Sequence, residues 1–83
     1  SYQLFQGDTR IGRSKQRNDV VLSSPSVSRE HLIIRQEGQH FIAYGTGSRV
    51  PPYLNGQQLQ GKQVLNTNDE ITLGDQQLRF VRS

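Results

Sequence analysis

The stretch Tyr53-Leu54-Asn55-Gly56-Gln57-Gln58-Leu59 carries the strongest turn signal in this 83-residue chain. Asn-Gly tolerates the positive φ angles of a type I′ turn, so the dipeptide predicts a tight hairpin between two short strands. A second hairpin is predicted where Gly74-Asp75 separates the alternating apolar runs 71–73 and 78–80. Alternate residues of a strand share one face, so both runs would point into the same core. The two turns therefore predict antiparallel β structure.

Short β-branched or aromatic runs recur along the rest of the chain, with the two-residue repeat of a strand. No window has the apolar spacing of an amphipathic helix, and Gly or Pro interrupts the chain often. The predicted strands are Tyr2–Phe5, Thr9–Ile11, Asp19–Leu22, Glu30–Arg35, Phe41–Tyr44, Tyr53–Leu54, Gln58–Leu59, Glu70–Leu73 and Gln77–Val81. Many short strands in one short chain predict an all-β sandwich or barrel.

The length fits a single domain that spans residues 1–83. We expect it to be excised from a longer protein, because it starts at Ser1 without a Met and its last strand-like run almost reaches the end. The chain has no Cys, which excludes disulfides and thiolate chemistry and favours a cytoplasmic, reducing location. Its apolar runs are only a few residues long, so neither a membrane span nor a secretory signal is expected.

The charge balance favours an anionic partner. Ten Lys and Arg against seven Asp and Glu give a formal net charge of +3, and most of the cations are arginines. Arginine suits phosphate because its planar guanidinium can donate two hydrogen bonds at once. A solvated basic surface would explain the same composition.

Three polar loops each combine an Arg with a Ser: the first loop is 11–20, the second loop is 27–32 and the third loop is 45–56. A phosphate dianion needs charge-assisted donors, and loops at one end of a sandwich can supply them together. The candidate donors are the guanidinium groups of Arg13, Arg29 and Arg49 and the hydroxyls of Ser14 and Ser28. Spacing alone does not establish convergence, so three ordinary surface loops remain the alternative.

Several short motifs follow one another in a specific order. They are Gly12-Arg13, Asn18-Asp19-Val20, Ser28-x-x-His31, Gly47-Ser48, Asn55-Gly56 and Asn68-Asp69-Glu70-Ile71-x-Leu73-Gly74. This series resembles the forkhead-associated (FHA) family and runs from about Ile11 to Phe80, nearly the whole chain. The resemblance implies an FHA-like β-sandwich of two antiparallel or mixed sheets, with about eleven short strands and the binding loops at one end.

The resemblance also implies a function, which is recognition of phosphothreonine peptides in signalling without enzymatic activity. The family's phosphate-binding Arg and Ser correspond to Arg13 and Ser28, and Ser14, Arg29 and Arg49 are further predicted peptide contacts. The family's structural positions correspond to Gly12, His31, Asn55 and Gly56. The implied partner is a phosphothreonine-containing protein or peptide, bound in cis or in trans by a domain that is monomeric in isolation. No cofactor or metal is implied.

The third loop departs from the family's pattern. The family usually has Ser-x-Asn-Gly-Thr where this chain has Ser48-Arg49-Val50-Pro51-Pro52. Val50 takes the place of the Asn that holds the peptide backbone, which predicts a loss of about 0.5–1.5 kcal/mol in peptide affinity. Arg49 adds a cation, while the two prolines remove two backbone N–H donors. We therefore expect a diverged member with altered peptide contacts.

Two other binding functions stay open at this point. A phosphate-independent protein-binding domain would keep the sandwich and use the altered third loop or an outer sheet face. A basic nucleic-acid-binding β domain would explain the positive charge. The aromatic residues argue against nucleic-acid binding. They fall in strand-like runs and most are predicted to be buried, so the sequence shows no evident platform on which bases could stack.

Catalysis and metal binding are not expected. A hydrolase would need a nucleophile beside a base, but Ser28 and His31 stand at a strand start rather than on a nucleophile elbow. His31 and His40 are the only imidazoles, and no carboxylates surround them at ligand spacing. Both histidines are therefore interpreted as structural or solvent-exposed.

Overall fold

A computed structural model of the chain describes residues Leu4 and 6–82. Their strands are β1 (Asp8–Gly12), β2 (Val20–Val21), β3 (Leu32–Glu37), β4 (His40–Gly45), β5 (Tyr53–Leu54), β6 (Gln57–Gln58), β7 (Lys62–Val64), β8 (Glu70–Leu73) and β9 (Gln76–Arg79). One sheet has the order β2-β1-β3-β4-β7 and the other has the order β6-β5-β8-β9. Only β1 and β2 are parallel among the described pairs. The predicted all-β sandwich is confirmed, with nine described strands rather than about eleven.

One strand prediction is not tested, one strand is missed and one prediction of burial is wrong. The predicted strand Tyr2–Phe5 lies, apart from Leu4, outside the described residues. The sequence does not predict β7, because all three of its residues are exposed and it therefore lacks an apolar alternation. The sequence predicts that Tyr53 is buried, but it is 38% exposed. Of the two β5 residues, Leu54 is the one that points into the core.

Both predicted hairpins are present. Asn55 and Gly56 have φ angles of 52° and 82°, as a type I′ turn requires, and they join β5 to β6. Gly74, with φ of 61°, lies in the two-residue turn between β8 and β9. The apolar residues on either side of this turn share one face and pack in the core, as predicted; they are Ile71, Leu73, Leu78 and Phe80.

The core lies between the sheets and also fixes the loops that leave them. Leu32 and Leu73, which come from different sheets, are almost completely buried. Burial of one such side chain stabilises the fold by about 1.5–3 kcal/mol. Val27 is equally buried although it belongs to the second loop rather than to a strand. Its side chain therefore anchors that loop on the core.

The β8–β9 turn is fastened to the segment between β2 and β3. Asp75 Oδ1 accepts hydrogen bonds from the hydroxyls of Ser24 and Ser26, both at 2.7 Å. Ser26 Oγ in turn accepts a hydrogen bond from the Asp75 N–H at 2.9 Å. These hydrogen bonds, above all the one from Ser24, lower the pKa of Asp75 from its usual 3.8 to about 2.

We expect acid to weaken this connection. The folded-state pKa of Asp75 is depressed, so its ionised form contributes stability above about pH 4, and this contribution is lost as the pH falls through about 2. In Asp75→Asn, the free energy of unfolding should be lower at pH 7 and should fall less between pH 4 and pH 2. Urea unfolding of both proteins across this range measures the effect. Asp8, whose pKa is lowered by Arg35, titrates in both proteins, so their difference isolates Asp75. Identical pH profiles would contradict the expectation.

Candidate functional site

The sheet register brings the three polar loops to one end of the sandwich. Ile11, near the end of β1, lies opposite Leu32, the first residue of β3. Leu32 lies opposite Gly45, the last residue of β4. Adjacent antiparallel strands place the end of one beside the start of the next, so the first, second and third loops leave the sheet at the same end. This is the convergence that sequence spacing alone does not establish.

Backbone hydrogen bonds join the first loop to the second. The Arg13 N–H donates to the Ser28 carbonyl at 3.0 Å, and the Ser14 N–H donates to the Arg29 carbonyl at 3.2 Å. Four of the predicted phosphopeptide contacts therefore lie on two adjacent backbone segments.

Gly12 allows the first two loops to approach this closely. A Cβ atom at this position would overlap the carbonyl oxygen of Arg29 and would lie 2.9 Å from the Asn18 amide nitrogen. The obstacle is backbone, which cannot rotate away as a flexible side chain could. The glycine is therefore required by the contact between the loops, and not by a positive φ angle.

Asn18 adds a side-chain link between the same two loops. Its Nδ2 donates to the carbonyl of Ser14 at 2.8 Å and to the carbonyl of Arg29 at 2.6 Å. The sequence identifies Asn18 as part of a motif but gives it no role. In the structure it positions the residues on both sides of the cleft that the loops enclose.

That cleft is open to solvent and has a volume of about 470 Å³. Its lining residues are Arg13, Ser14, Gln16, Arg17 and Arg29. Arg13 Nε donates to the Val27 carbonyl at 3.0 Å, and this hydrogen bond fixes the direction of the guanidinium group. Among the described residues no hydrogen bond involves its terminal nitrogens, which leaves them available to a ligand.

The cleft is strongly positive. Within the described part of the chain, the only ion pair of a lining arginine joins Arg17 to Glu30, with 3.9 Å between Nη1 and Oε2. Their side chains are 59% and 45% exposed, so solvent screens the attraction and the pair is weak. Three guanidinium groups thus face one cleft with little internal compensation, an arrangement that attracts anions.

His31 lies beneath the loops and is completely buried. Its Nδ1 accepts a hydrogen bond from the Ser28 N–H at 3.1 Å, so the neutral ring carries its proton on Nε2. Burial lowers the pKa of His31, because it disfavours the charged imidazolium. The backbone carbonyls of Val50 and Pro51 raise this pKa, but their effect is smaller than that of burial. These carbonyls belong to the third loop, so the imidazole lies between the second and third loops.

The third loop is attached to the second, but its residues do not line the cleft. Thr46 Oγ1 donates to the Glu30 carbonyl at 2.6 Å, and Ser48 Oγ donates to the Val50 carbonyl at 2.7 Å. Val50, in the place of the family's Asn, is 40% exposed. Arg49 is also exposed and is not among the residues that line the cleft.

The structure brings some of the predicted site residues together at the cleft and leaves others apart from it. Arg13, Ser14 and Arg29 line the cleft, while Ser28 borders it through its backbone. Asn55 lies apart, where its Oδ1 accepts a hydrogen bond from the Glu70 N–H at 2.9 Å, at the start of β8.

Sequence reasoning misses two lining residues, Gln16 and Arg17. The signal for Arg17 is the run of cations in the first loop, which does not reveal which side chain faces the cleft.

The described residues contain no group of His, Asp and Glu side chains that could hold a metal ion. They also form no helix with the length and apolar character needed to cross a membrane.

Comparison with known proteins gives concordant matches. The FHA domain family model matches residues 9–74. The chain is 32% identical over 79 residues to the transcriptional regulatory protein EmbR of Mycobacterium tuberculosis, covering 95% of this chain and 20% of EmbR. It is 34% identical over 80 residues to the oxoglutarate dehydrogenase inhibitor of Corynebacterium efficiens, covering 96% of this chain and 55% of the inhibitor. It thus spans about a fifth to half of the length of these relatives.

Solved structures also match this chain over most of its length. The structure of EmbR in complex with a low-affinity phosphopeptide has a TM-score of 0.85 and 31% identity, covering 90% of this chain and 20% of that one. A structure from an analysis of phosphothreonine-dependent FHA domain interactions has a TM-score of 0.92 and 29% identity. That match covers 99% of this chain and 83% of the other.

Proposed function

Because this chain belongs to the FHA domain family, we propose that it is a phosphothreonine-peptide recognition module that mediates protein–protein interaction in signalling. The observation that carries the proposal is the positive cleft between the first and second loops. A phosphothreonine side chain brings about −1.5 to −2 charges and three acceptor oxygens, which match clustered guanidinium donors. In support, EmbR, a relative of the same fold, has been solved with a phosphopeptide.

In this proposal Arg13 is the central phosphate ligand, because its guanidinium is already oriented by Val27. The Ser28 hydroxyl is the second proposed ligand, because Ser28 occupies the position of the family's phosphate-binding Ser. In support, the Ser28 carbonyl accepts a hydrogen bond from the Arg13 N–H at 3.0 Å, so the two residues are adjacent in the backbone pairing of the loops. Ser14 and Arg29 form the neighbouring walls of the cleft. Arg49 remains a predicted peptide contact outside the cleft.

The proposed module acts by binding and not by catalysis, and it needs no cofactor. Its partner is a phosphothreonine-containing protein or peptide, in cis or in trans, and the domain is intracellular and monomeric in isolation. His31 belongs to the structural framework in this proposal, because its buried ring is engaged by the Ser28 N–H and does not line the cleft.

Phosphate-independent protein binding is the second candidate. It is favoured by the third loop, where exposed Val50 and the following prolines replace polar residues that would hold a peptide backbone. Such binding would use apolar contacts and would not require Arg13.

Titration with a degenerate phosphothreonine peptide library and its unphosphorylated counterpart separates the two candidates. We expect binding only to the phosphorylated library, and weaker binding at the higher of two salt concentrations, because exposed charges are screened. Equal binding to both libraries by the folded domain would favour the phosphate-independent candidate instead.

A further inference from the structure

The cleft contains more positive charge than one phosphate group neutralises. Three guanidinium groups line it, those of Arg13, Arg17 and Arg29. A phosphothreonine dianion contributes at most about two negative charges. In the described part of the chain, the third cation is compensated only by the exposed pair of Arg17 with Glu30, at 3.9 Å. One guanidinium group therefore remains weakly compensated after the phosphate is bound.

The positive charge that is most weakly compensated is that of Arg17. Arg13 is fixed by the Val27 carbonyl, whereas Arg17 is 59% exposed and its guanidinium is held only by the loose contact with Glu30. An exposed pair at 3.9 Å is easily exchanged for a better-placed anion. Arg17 can thus leave Glu30 and bind a negative group of the ligand without disturbing the phosphate ligands.

We infer that the cleft selects peptides that carry a second anion near the phosphothreonine, and that Arg17 determines this preference. This inference rests on the proposed function, since it concerns the same cleft. The second anion is either a carboxylate or another phosphate, because both accept hydrogen bonds from a guanidinium group. Val50 in place of the family's Asn supplies no polar side chain to a peptide, which increases the weight of charge in recognition.

The size of the cleft indicates which peptide positions can reach its lining. A volume of about 470 Å³ corresponds to a span on the order of 10 Å, and an extended peptide covers about 3.3–3.6 Å per residue. A negative group within about three residues of the phosphothreonine can therefore still contact the cleft.

The test uses phosphothreonine peptides that differ only in their flanks. One has neutral flanks, one set places a single Glu at each of the three positions on either side, and one set places a second phosphothreonine there. The matched variants are Arg17→Gln and Arg79→Gln. Arg79 is an exposed arginine on β9 of the other sheet and does not line the cleft.

For wild-type protein, the best doubly negative peptide should bind about tenfold more tightly than the neutral-flank peptide, as one charge-assisted hydrogen bond would produce. Arg17→Gln should reduce this preference to about twofold or less, because the doubly negative peptide loses more affinity than the neutral-flank peptide. Arg79→Gln should leave both affinities unchanged. Tighter binding of the Glu set identifies a carboxylate, and tighter binding of only the doubly phosphorylated set identifies a second phosphate.

Two results would overturn the inference and leave the proposed function intact. One is equal affinity of wild-type protein for neutral-flank and doubly negative peptides. The other is an equal loss for both peptides in Arg17→Gln, which would make Arg17 a ligand of the first phosphate. If the folded wild-type domain binds no phosphopeptide at all, the proposed function itself fails.

Discussion

Arg13→Ala should weaken binding of a phosphothreonine peptide by about 10- to 100-fold, which is the range for hydrogen bonds to a charged group. Arg13 is the lining arginine whose guanidinium is already oriented, by the hydrogen bond from Nε to the Val27 carbonyl. The substitution removes a positive charge. It also removes a side chain that is already ordered in the free protein and therefore loses little conformational entropy when the ligand binds. Isothermal titration of wild-type and variant proteins with the same peptide measures the effect.

Two further variants make this result specific. Arg79→Ala removes one positive charge from β9, outside the cleft, and should retain the wild-type affinity. Arg13→Lys keeps the charge but loses the planar group that donates two hydrogen bonds, so its affinity should lie between those of Arg13→Ala and wild type. Unchanged affinity in Arg13→Ala, with a wild-type circular dichroism spectrum, would remove Arg13 from the site.

Gly12→Ala should destabilise the domain by about 1–3 kcal/mol and also weaken phosphopeptide binding. The added methyl group overlaps the Arg29 carbonyl, so the first and second loops must move apart. This movement stretches the hydrogen bond from the Ser14 N–H to Arg29. Urea unfolding gives the change in free energy, and titration with the phosphopeptide gives the change in affinity.

Gly45→Ala is the matched control for this substitution. Gly45 also ends a strand at the same end of the sheet, but a Cβ atom there meets nothing within 4 Å and its φ angle is not positive. Its unfolding midpoint should remain close to that of wild type. If Gly12→Ala is as stable as Gly45→Ala, the loops do not need the close approach at Gly12.

The fold is predictable where its determinants are local. Asn55-Gly56 specifies a turn through the φ angles of two residues, and alternation of apolar residues specifies which strand face is buried. β7 has neither signal, because Lys62–Val64 is exposed throughout and forms only through pairing with β4. Its strand conformation depends on a partner about twenty residues away in sequence, which local patterns do not encode.

The sequence predicts which residues form the site, but it does not predict how their side chains are arranged in space. The pattern of motifs identifies Arg13, Ser14 and Arg29, which share one cleft in the structure. It does not identify Arg17 or the bridging role of Asn18, because the direction of a loop side chain depends on hydrogen bonds between the loops. Those bonds depend in turn on a register between strands that are distant in sequence.

The most direct test is one titration of the wild-type domain with a phosphothreonine peptide selected from the library, before and after phosphatase treatment of the peptide. The two samples have the same sequence and differ only in the phosphate group. We predict saturable binding before treatment and no measurable binding at the same concentrations afterwards. Equal affinity of the two samples would contradict phosphate-dependent recognition and would place the binding surface outside the arginine cleft.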